Sequence, residues 1–256
     1  MSTVGNAGSI HLLVELIKRD FRSRFTGSAL GISWAILQPL SFVVLYWFVF
    51  TRMIPRSPDA GSVEYPLFLI SGLLPWLGIS EGISRATPAI VENGPMVRRL
   101  TFKSEILIIV PIASAIIFEL IGILLFIGYL VFLGQDLRSL WVLPFAIGLQ
   151  FLLQTGIGWF LATIHVFFRD VTQILGFALT IGLYLSPILY SGQGRYAIIF
   201  AWNPMTPLLG LFRSAMLATP LPGAGSFVYL LTVTAVLWFG GLTFFKRAQP
   251  TLADLI

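Results

Sequence analysis

The sequence predicts an all-α integral membrane protein with six membrane-crossing helices. Hydrophobic residues make up 57% of the 256 residues, charged residues make up 11%, and the mean hydropathy is +0.90. A soluble globular domain usually carries about 25% charged residues. No polar stretch is long enough to fold alone, so we expect one transmembrane domain over residues 1–256, with the bilayer as its solvent.

The first predicted element is an amphipathic helix at the membrane interface, residues 10–25 (IHLLVELIKRDFRSRF). Its apolar residues recur at helical spacing, and its basic residues fall mostly on the other face. The alternative is a solvated leader helix. The first long apolar run begins only near residue 30 and lacks the pattern of a cleaved signal, so we expect it to remain in the mature protein.

Six apolar runs follow, and each is predicted to cross the membrane. Pro39 lies inside the first run, a position that membrane helices tolerate. With six spans, both termini lie on the same side of the membrane. Lysine and arginine are more numerous in the segments on that side, which predicts that it is the cytoplasmic side. The predicted spans are 30–50, 65–84, 106–133, 140–168, 171–190 and 227–245.

The stretch before the last run is predicted to form a pair of short re-entrant helices, residues 195–218. Asn203, Pro204 and Pro207 break it into two apolar pieces, and neither is long enough to cross about 30 Å of hydrocarbon. Irregular backbone at membrane depth must be buried in protein or line a wet cavity, which favours a pore mouth or gate on the outer side. The alternative is an extracellular loop that rests on the membrane.

Several classes of chemistry are missing from the sequence. None of the three lysines follows a glycine, so there is no phosphate-binding P-loop. There is no cysteine, and the two histidines are far apart, which disfavours a metal site. Glu119 is the one ionisable residue in the middle of a predicted span, where it could be a proton site or bond to a neighbouring helix or subunit. A secondary transporter is therefore disfavoured, whereas a passive channel remains open.

The loop after the second run, residues 87–103 (TPAIVENGPMVRRLTFK), is unusually charged for this chain. Pro88 suits the first turn of a helix, and Asn93, Gly94 and Pro95 then interrupt it. Apolar and basic residues are interleaved after the break. Such an element at the membrane edge suits docking into a groove on another protein. The alternative is a solvated loop that anchors to lipid head groups.

Four stretches together resemble the permease subunit of ABC exporters for lipid-linked polysaccharides, the family that serves O-antigen, capsule and teichoic acid export. Residues 19–40 (RDFRSRFTGSALGISWAILQPL) are similar to the family's entry into its first span. Residues 73–107 resemble its second span and coupling region. VFFRDV (166–171) resembles its short cytoplasmic turn, and NPMTPLLGLFR (203–213) resembles its extracellular gate stretch.

The resemblance implies that residues 87–103 are a coupling helix that contacts a separate ATPase subunit. ATP and Mg would then bind to that partner, and this chain would be a transporter permease without a cofactor or enzymatic activity of its own. The implied assembly is two permeases with two ATPases in the bacterial cytoplasmic membrane, with no nucleic acid. The alternatives are the permease of a drug or small-lipid exporter and, in a different class, a membrane enzyme of glycan synthesis.

The resemblance also assigns roles to individual residues. The ATPase-coupling residues are Glu92, Asn93, Met96, Arg98 and Arg99, with Arg169 and Asp170 nearby. The extracellular gate residues are Asn203, Pro204, Pro207 and Arg213. Aromatic residues that could stack on sugar rings along the channel are Phe42, Tyr46, Trp47, Phe50 and Tyr184, although packing also explains them. Candidates for the lipid pyrophosphate entrance are Arg22, Arg24 and Arg85, which could equally anchor lipid.

Overall fold

The computed structural model describes residues 3–49, 65–97, 104–190 and 197–255, and the regular structure in these ranges is helical. Short 3₁₀ turns at Gly31–Ser33 and Leu140–Val142 precede α2 and α7. The helices are α1 (Thr3–Ser23), α2 (Trp34–Phe48), α3 (Tyr65–Ala86), α4 (Ala89–Glu92), α5 (Gly94–Val97), α6 (Glu105–Phe132), α7 (Leu143–Phe167), α8 (Val171–Leu185), α9 (Ala197–Ala201), α10 (Met205–Leu217) and α11 (Ala224–Leu255).

Four of these helices are long and apolar enough to cross a membrane. They are α3, α6, α7 together with its 3₁₀ turn, and the Ala224–Thr251 part of α11. The all-helical class is thus confirmed, with four candidate spans in the described ranges. The runs predicted at 30–50 and 171–190 contain helices of 15 residues each. At about 1.5 Å per residue such a helix extends about 22 Å, less than the hydrocarbon thickness of about 30 Å, so the six-span layout remains a prediction.

Two helices extend beyond the apolar runs that predicted them. The first helix begins at Thr3 rather than at residue 10, and the last continues through Lys246 and Pro250 to Leu255. Hydropathy marks only the part of a helix that suits lipid, whereas backbone hydrogen bonding continues into polar sequence. The helix bounds therefore exceed the predicted bounds at both ends of the chain.

The core is formed by α3, α6, α7 and α10. Phe126 from α6 and Phe212 from α10 are fully buried there, together with Ile70 of α3 and Leu153 of α7. Most of α3 is buried, whereas none of the residues of α8 is. The central helices therefore form a packed body, with α2 and α8 at its periphery.

Glycines bring α7 and α11 into close contact. A Cβ atom on Gly156 would lie 2.6 Å from the backbone of Leu237 and Trp238. Gly241 in turn abuts the backbone of Gly156. Small residues of this kind let membrane helices approach each other at backbone distance.

Candidate functional site

The predicted coupling region forms two short helices that are fixed to the end of the core. The Asn93 side chain donates a hydrogen bond to the carbonyl of Ala89 at 2.8 Å and so closes α4. Ile90 is fully buried, and Met96 packs against the same apolar cluster, which includes Ile108 of α6. Glu92 is exposed. Arg98 and Arg99 lie outside the described residues.

The second predicted contact, Arg169 and Asp170, is exposed in the turn between α7 and α8. Ala162 and Val166, near the end of α7 before this turn, pack in the same apolar cluster as Ile90 of α4. The fold therefore places the two turns at the same end of the bundle. The position of an ATPase on that end remains a prediction.

Two of the three predicted entrance arginines form ion pairs that join α1 to α3. Arg24 lies 2.6 Å from Glu81, and Arg85 lies 2.7 Å from Asp20. Burial lowers the pKa of Arg24, and the Glu81 carboxylate opposes that shift. The third, Arg22, is exposed near the end of α1. The sequence did not predict the two acidic partners, because Glu81 is 57 residues from Arg24 and Asp20 is 65 residues from Arg85.

A cavity of about 520 Å³ lies where α1, α3, α4 and α6 meet, and we call it the end cavity. It brings the predicted entrance residue Arg85 next to the predicted coupling residues Glu92 and Asn93. Its remaining polar lining comes from Arg19, Asp20, Ser23 and Ser84. Helix α1 and the predicted coupling region thus share one polar space.

The predicted gate residues tie the segment around α10 to the rest of the protein. The Asn203 amide donates to the carbonyl of Leu185 at 2.9 Å and to Ser186 Oγ at 3.1 Å, and its oxygen accepts from the Met205 backbone. Asn203 therefore joins the end of α8 to the start of α10. Pro204 is the N-cap of α10, and Pro207 is buried within it.

Arg213, the fourth predicted gate residue, is buried inside the bundle. Its Nη2 donates to the carbonyls of Pro187 at 2.6 Å and Phe68 at 3.4 Å. Its guanidinium carbon lies 3.6 Å from the centre of the Phe68 ring. Gly72 makes room for it, since a Cβ there would meet Nη2 at 2.7 Å. Arg213 thus connects α10, α3 and the segment after α8.

Four of the five predicted channel aromatics lie on α2 and α8. Phe42 lines a cavity of about 340 Å³ between α2, α3 and α6, which we call the inner cavity. Tyr184 is 55% exposed on α8, and its carbonyl accepts a hydrogen bond from the Tyr190 hydroxyl. Tyr46 and Trp47 belong to α2, but their side chains are not described, and Phe50 lies outside the described residues.

Glu119 is the centre of a buried polar cluster. Its Oε2 accepts a hydrogen bond from Gln150 Nε2, and its side chain lies directly against Gly78. Gln154 Nε2 donates to the Gly78 carbonyl at 3.0 Å. This geometry favours the alternative in which Glu119 bonds to a neighbouring helix. The sequence signal that indicates this partner is the pair of glutamines four residues apart in an otherwise apolar run.

Known proteins match nearly the whole chain. It is 25% identical to the O-antigen export system permease protein RfbA of Myxococcus xanthus over 255 residues, 96% of this chain and 95% of that protein. The Klebsiella pneumoniae protein of the same name is 25% identical over 252 residues, with the same shares. The polysialic acid transport protein KpsM of Escherichia coli is 25% identical over 250 residues, 93% of each chain.

A family model supports the same relationship. The model described as ABC-2 type transporter matches residues 11–217, which include most of the predicted interface helix, the predicted coupling region and the predicted gate stretch at 203–213. The predicted family is therefore confirmed: this chain belongs to the ABC-2 type transporter membrane family.

Proposed function

We propose that the chain is the channel-forming subunit of an ATP-driven exporter that moves a lipid-linked polysaccharide across the bacterial cytoplasmic membrane. The observation that carries this proposal is the full-length similarity to permeases of O-antigen and polysialic acid export. O-antigen is the first candidate for the cargo, and capsule or teichoic acid are the others. The permease of a drug or small-lipid exporter is the second candidate function, and the same relatives disfavour it.

The coupling mechanism follows from how the end of the core is packed. Ile90 and Met96 fix the two short coupling helices to α6 and α7, while Glu92 is left exposed. An ATPase that holds Glu92 and the turn at Arg169 would therefore move the core helices and not only a loose loop. In this proposal ATP and Mg bind to that separate subunit, and the permease forms the channel through which the glycan crosses the membrane.

The assembly that we propose contains two permeases and two ATPases, with six crossings in each permease and both termini in the cytoplasm. The channel would lie between the permeases, next to α2 and α8. Exposed aromatic residues on α8, such as Phe177 and Tyr184, support this position. A sugar chain is too polar to cross hydrocarbon unaided, so the channel has to be continuous.

Depletion of the protein tests this function. The amount of lipid-linked glycan in the inner membrane is measured by mass spectrometry before depletion, after depletion and after re-expression from a plasmid. We expect lipid-linked glycan to accumulate while surface glycan falls, with recovery on re-expression. Unchanged glycan lipids and unchanged surface glycan would contradict polysaccharide export and favour the drug or small-lipid exporter.

A further inference from the structure

One face of α3 is polar although the helix crosses the apolar core. Ser80, Glu81 and Ser84 lie on this face at helical spacing, and each is at least partly exposed. Polar side chains within a membrane span almost always face a partner or a water-filled space, because lipid cannot satisfy their hydrogen bonds. This face therefore marks a polar route and not a surface that contacts lipid.

The polar face connects the two cavities. Ser84 lines both the end cavity, which includes Glu92 and Asn93, and the inner cavity, which includes Phe42. The two spaces therefore adjoin along α3. They lead from the coupling region into the interior of the bundle, where Glu119 lies.

The inner cavity presents unsatisfied polar atoms. Glu119 is 4% exposed, and its Oε1 has no hydrogen-bond partner among the described residues. Ser80 Oγ likewise has no partner within the part of the chain that the structure describes. A buried polar atom without a partner costs free energy, so these two atoms indicate a polar ligand.

The rest of the lining restricts the class of ligand. Phe42 and Phe118 supply ring faces, and a volume of about 340 Å³ is in the usual range of roughly 300–1,000 Å³ for small-ligand sites. An acyl chain would leave the Glu119 and Ser80 oxygens unsatisfied. A phosphate or an acidic sugar would meet the carboxyl groups of Glu119 and Glu81. Arg24 pairs with Glu81 through Nη1, and its guanidinium lies 5.5 Å from the centre of the Phe118 ring. Two carboxyl groups thus face one guanidinium, which disfavours an anionic ligand.

We propose that the inner cavity is a binding subsite for one uncharged sugar unit of the exported glycan, with Glu119 Oε1 accepting a hydrogen bond from a sugar hydroxyl. This assignment rests on the proposed function. It predicts that the exported glycan contains neutral sugars, one of which occupies the inner cavity during export. Ser80 would form a second hydrogen bond with the sugar, and the Phe42 and Phe118 side chains would line its apolar side.

Photo-cross-linking in living cells tests the assignment. The photoreactive residue p-benzoylphenylalanine replaces Phe118 or, in a second variant, Phe42. The control is the same replacement of Leu124, which lies on the same helix but is 64% exposed. Cells are fed radiolabelled hexose and irradiated, and the purified permease is measured for bound label and for the sugar composition of the adduct.

We expect label at position 118 or 42 that exceeds label at position 124, with neutral sugars in the adduct. Glu119→Gln should reduce that label several-fold and leave the melting temperature unchanged, because glutamine keeps a bond to Gln150 but offers a donor where the sugar needs an acceptor. Phospholipid adducts alone, acidic sugars in the adduct, or equal label at all three positions would overturn the subsite.

The proposed function and the subsite can fail separately. Lipid-linked glycan that accumulates on depletion, without labelled sugar at positions 42 or 118, would leave polysaccharide export standing and reject the subsite. Absence of accumulation together with absence of label would reject both.

Discussion

Arg213 shows how a single charged side chain joins three segments inside an apolar bundle. Its guanidinium stacks on Phe68 and reaches past the ring to the carbonyl of Pro187. Gly72 provides the space for this reach. The planar guanidinium combines stacking with hydrogen bonding, which a lysine ammonium cannot do.

Replacement of this arginine by lysine should destabilise the protein. In Arg213→Lys the charge stays buried, but the shorter side chain loses the bond to Pro187, which is worth about 1.5–3 kcal/mol of unfolding free energy for a charged donor. Thermal unfolding in detergent measures the effect. Arg138→Lys is the matched control, since that side chain is 90% exposed and should leave the melting temperature unchanged. Equal melting temperatures for both variants would show that the Pro187 bond is not stabilising.

Besides the apolar core, two kinds of contact hold helices together. Glycines allow backbone contact between α7 and α11, and ion pairs attach α1 to α3. The first kind is intolerant of any added atom. In an ion pair, by contrast, the acidic and the basic residue can be exchanged and opposite charges still face each other.

Gly156→Ala should push α7 and α11 apart. The new Cβ would lie 2.6 Å from the Leu237 backbone, and overpacking of this kind costs about 1–3 kcal/mol. Gly148→Ala on the same helix is the control, because nothing lies within 4 Å of its added atom. Alanine favours helix there, so the control should keep or raise the melting temperature. A stable Gly156→Ala protein would contradict the close contact.

Charge reversal tests the link between α1 and α3. Arg24→Glu places two carboxylates together and should cost about 1–3 kcal/mol, less than the roughly 3–5 kcal/mol for a fully buried pair. Adding Glu81→Arg should restore much of the loss, as measured by thermal unfolding. Reversal of the exposed Lys18–Glu15 pair on the same helix should change nothing. If the double variant is no better than the single one, the pair does not hold α1 in place.

The described residues form a packed core with a polar end that carries α1, the predicted coupling helices α4 and α5, and the turn at Arg169. Exposed, largely apolar helices lie at its periphery. This arrangement suits a permease that is moved from one end by a partner. Arg98 and Arg99 precede α6 at that end in the chain, and their role remains a prediction.

Arg98→Glu combined with Arg99→Glu should weaken binding of the ATPase, because the reversal opposes the basic character of the coupling loop. Co-purification of the ATPase with tagged permease measures this. Arg138→Glu is the control, because Arg138 follows α6 at its other end. Equal recovery of the ATPase with the double variant and the control would reject a coupling role for the two arginines.

The sequence predicted the family, the helical class and the four long spans, because bilayer thickness imposes long apolar runs that hydropathy detects. It did not predict the partners of Arg24, Arg85 and Arg213. Those contacts join residues far apart in the chain, and their choice depends on packing that no local pattern encodes. Glu119 was recognised as unusual, but the fold was needed to identify Gln150 and Gly78 as its neighbours.

Transport into inside-out membrane vesicles would measure polysaccharide export by this protein directly. Vesicles that contain the permease and its ATPase are given ATP, and lipid-linked glycan protected from added glycosidase is measured. We predict that ATP raises the protected fraction, and that vesicles without the permease or with a non-hydrolysable ATP analogue show no rise. Equal protection with and without the permease would contradict polysaccharide export by this protein.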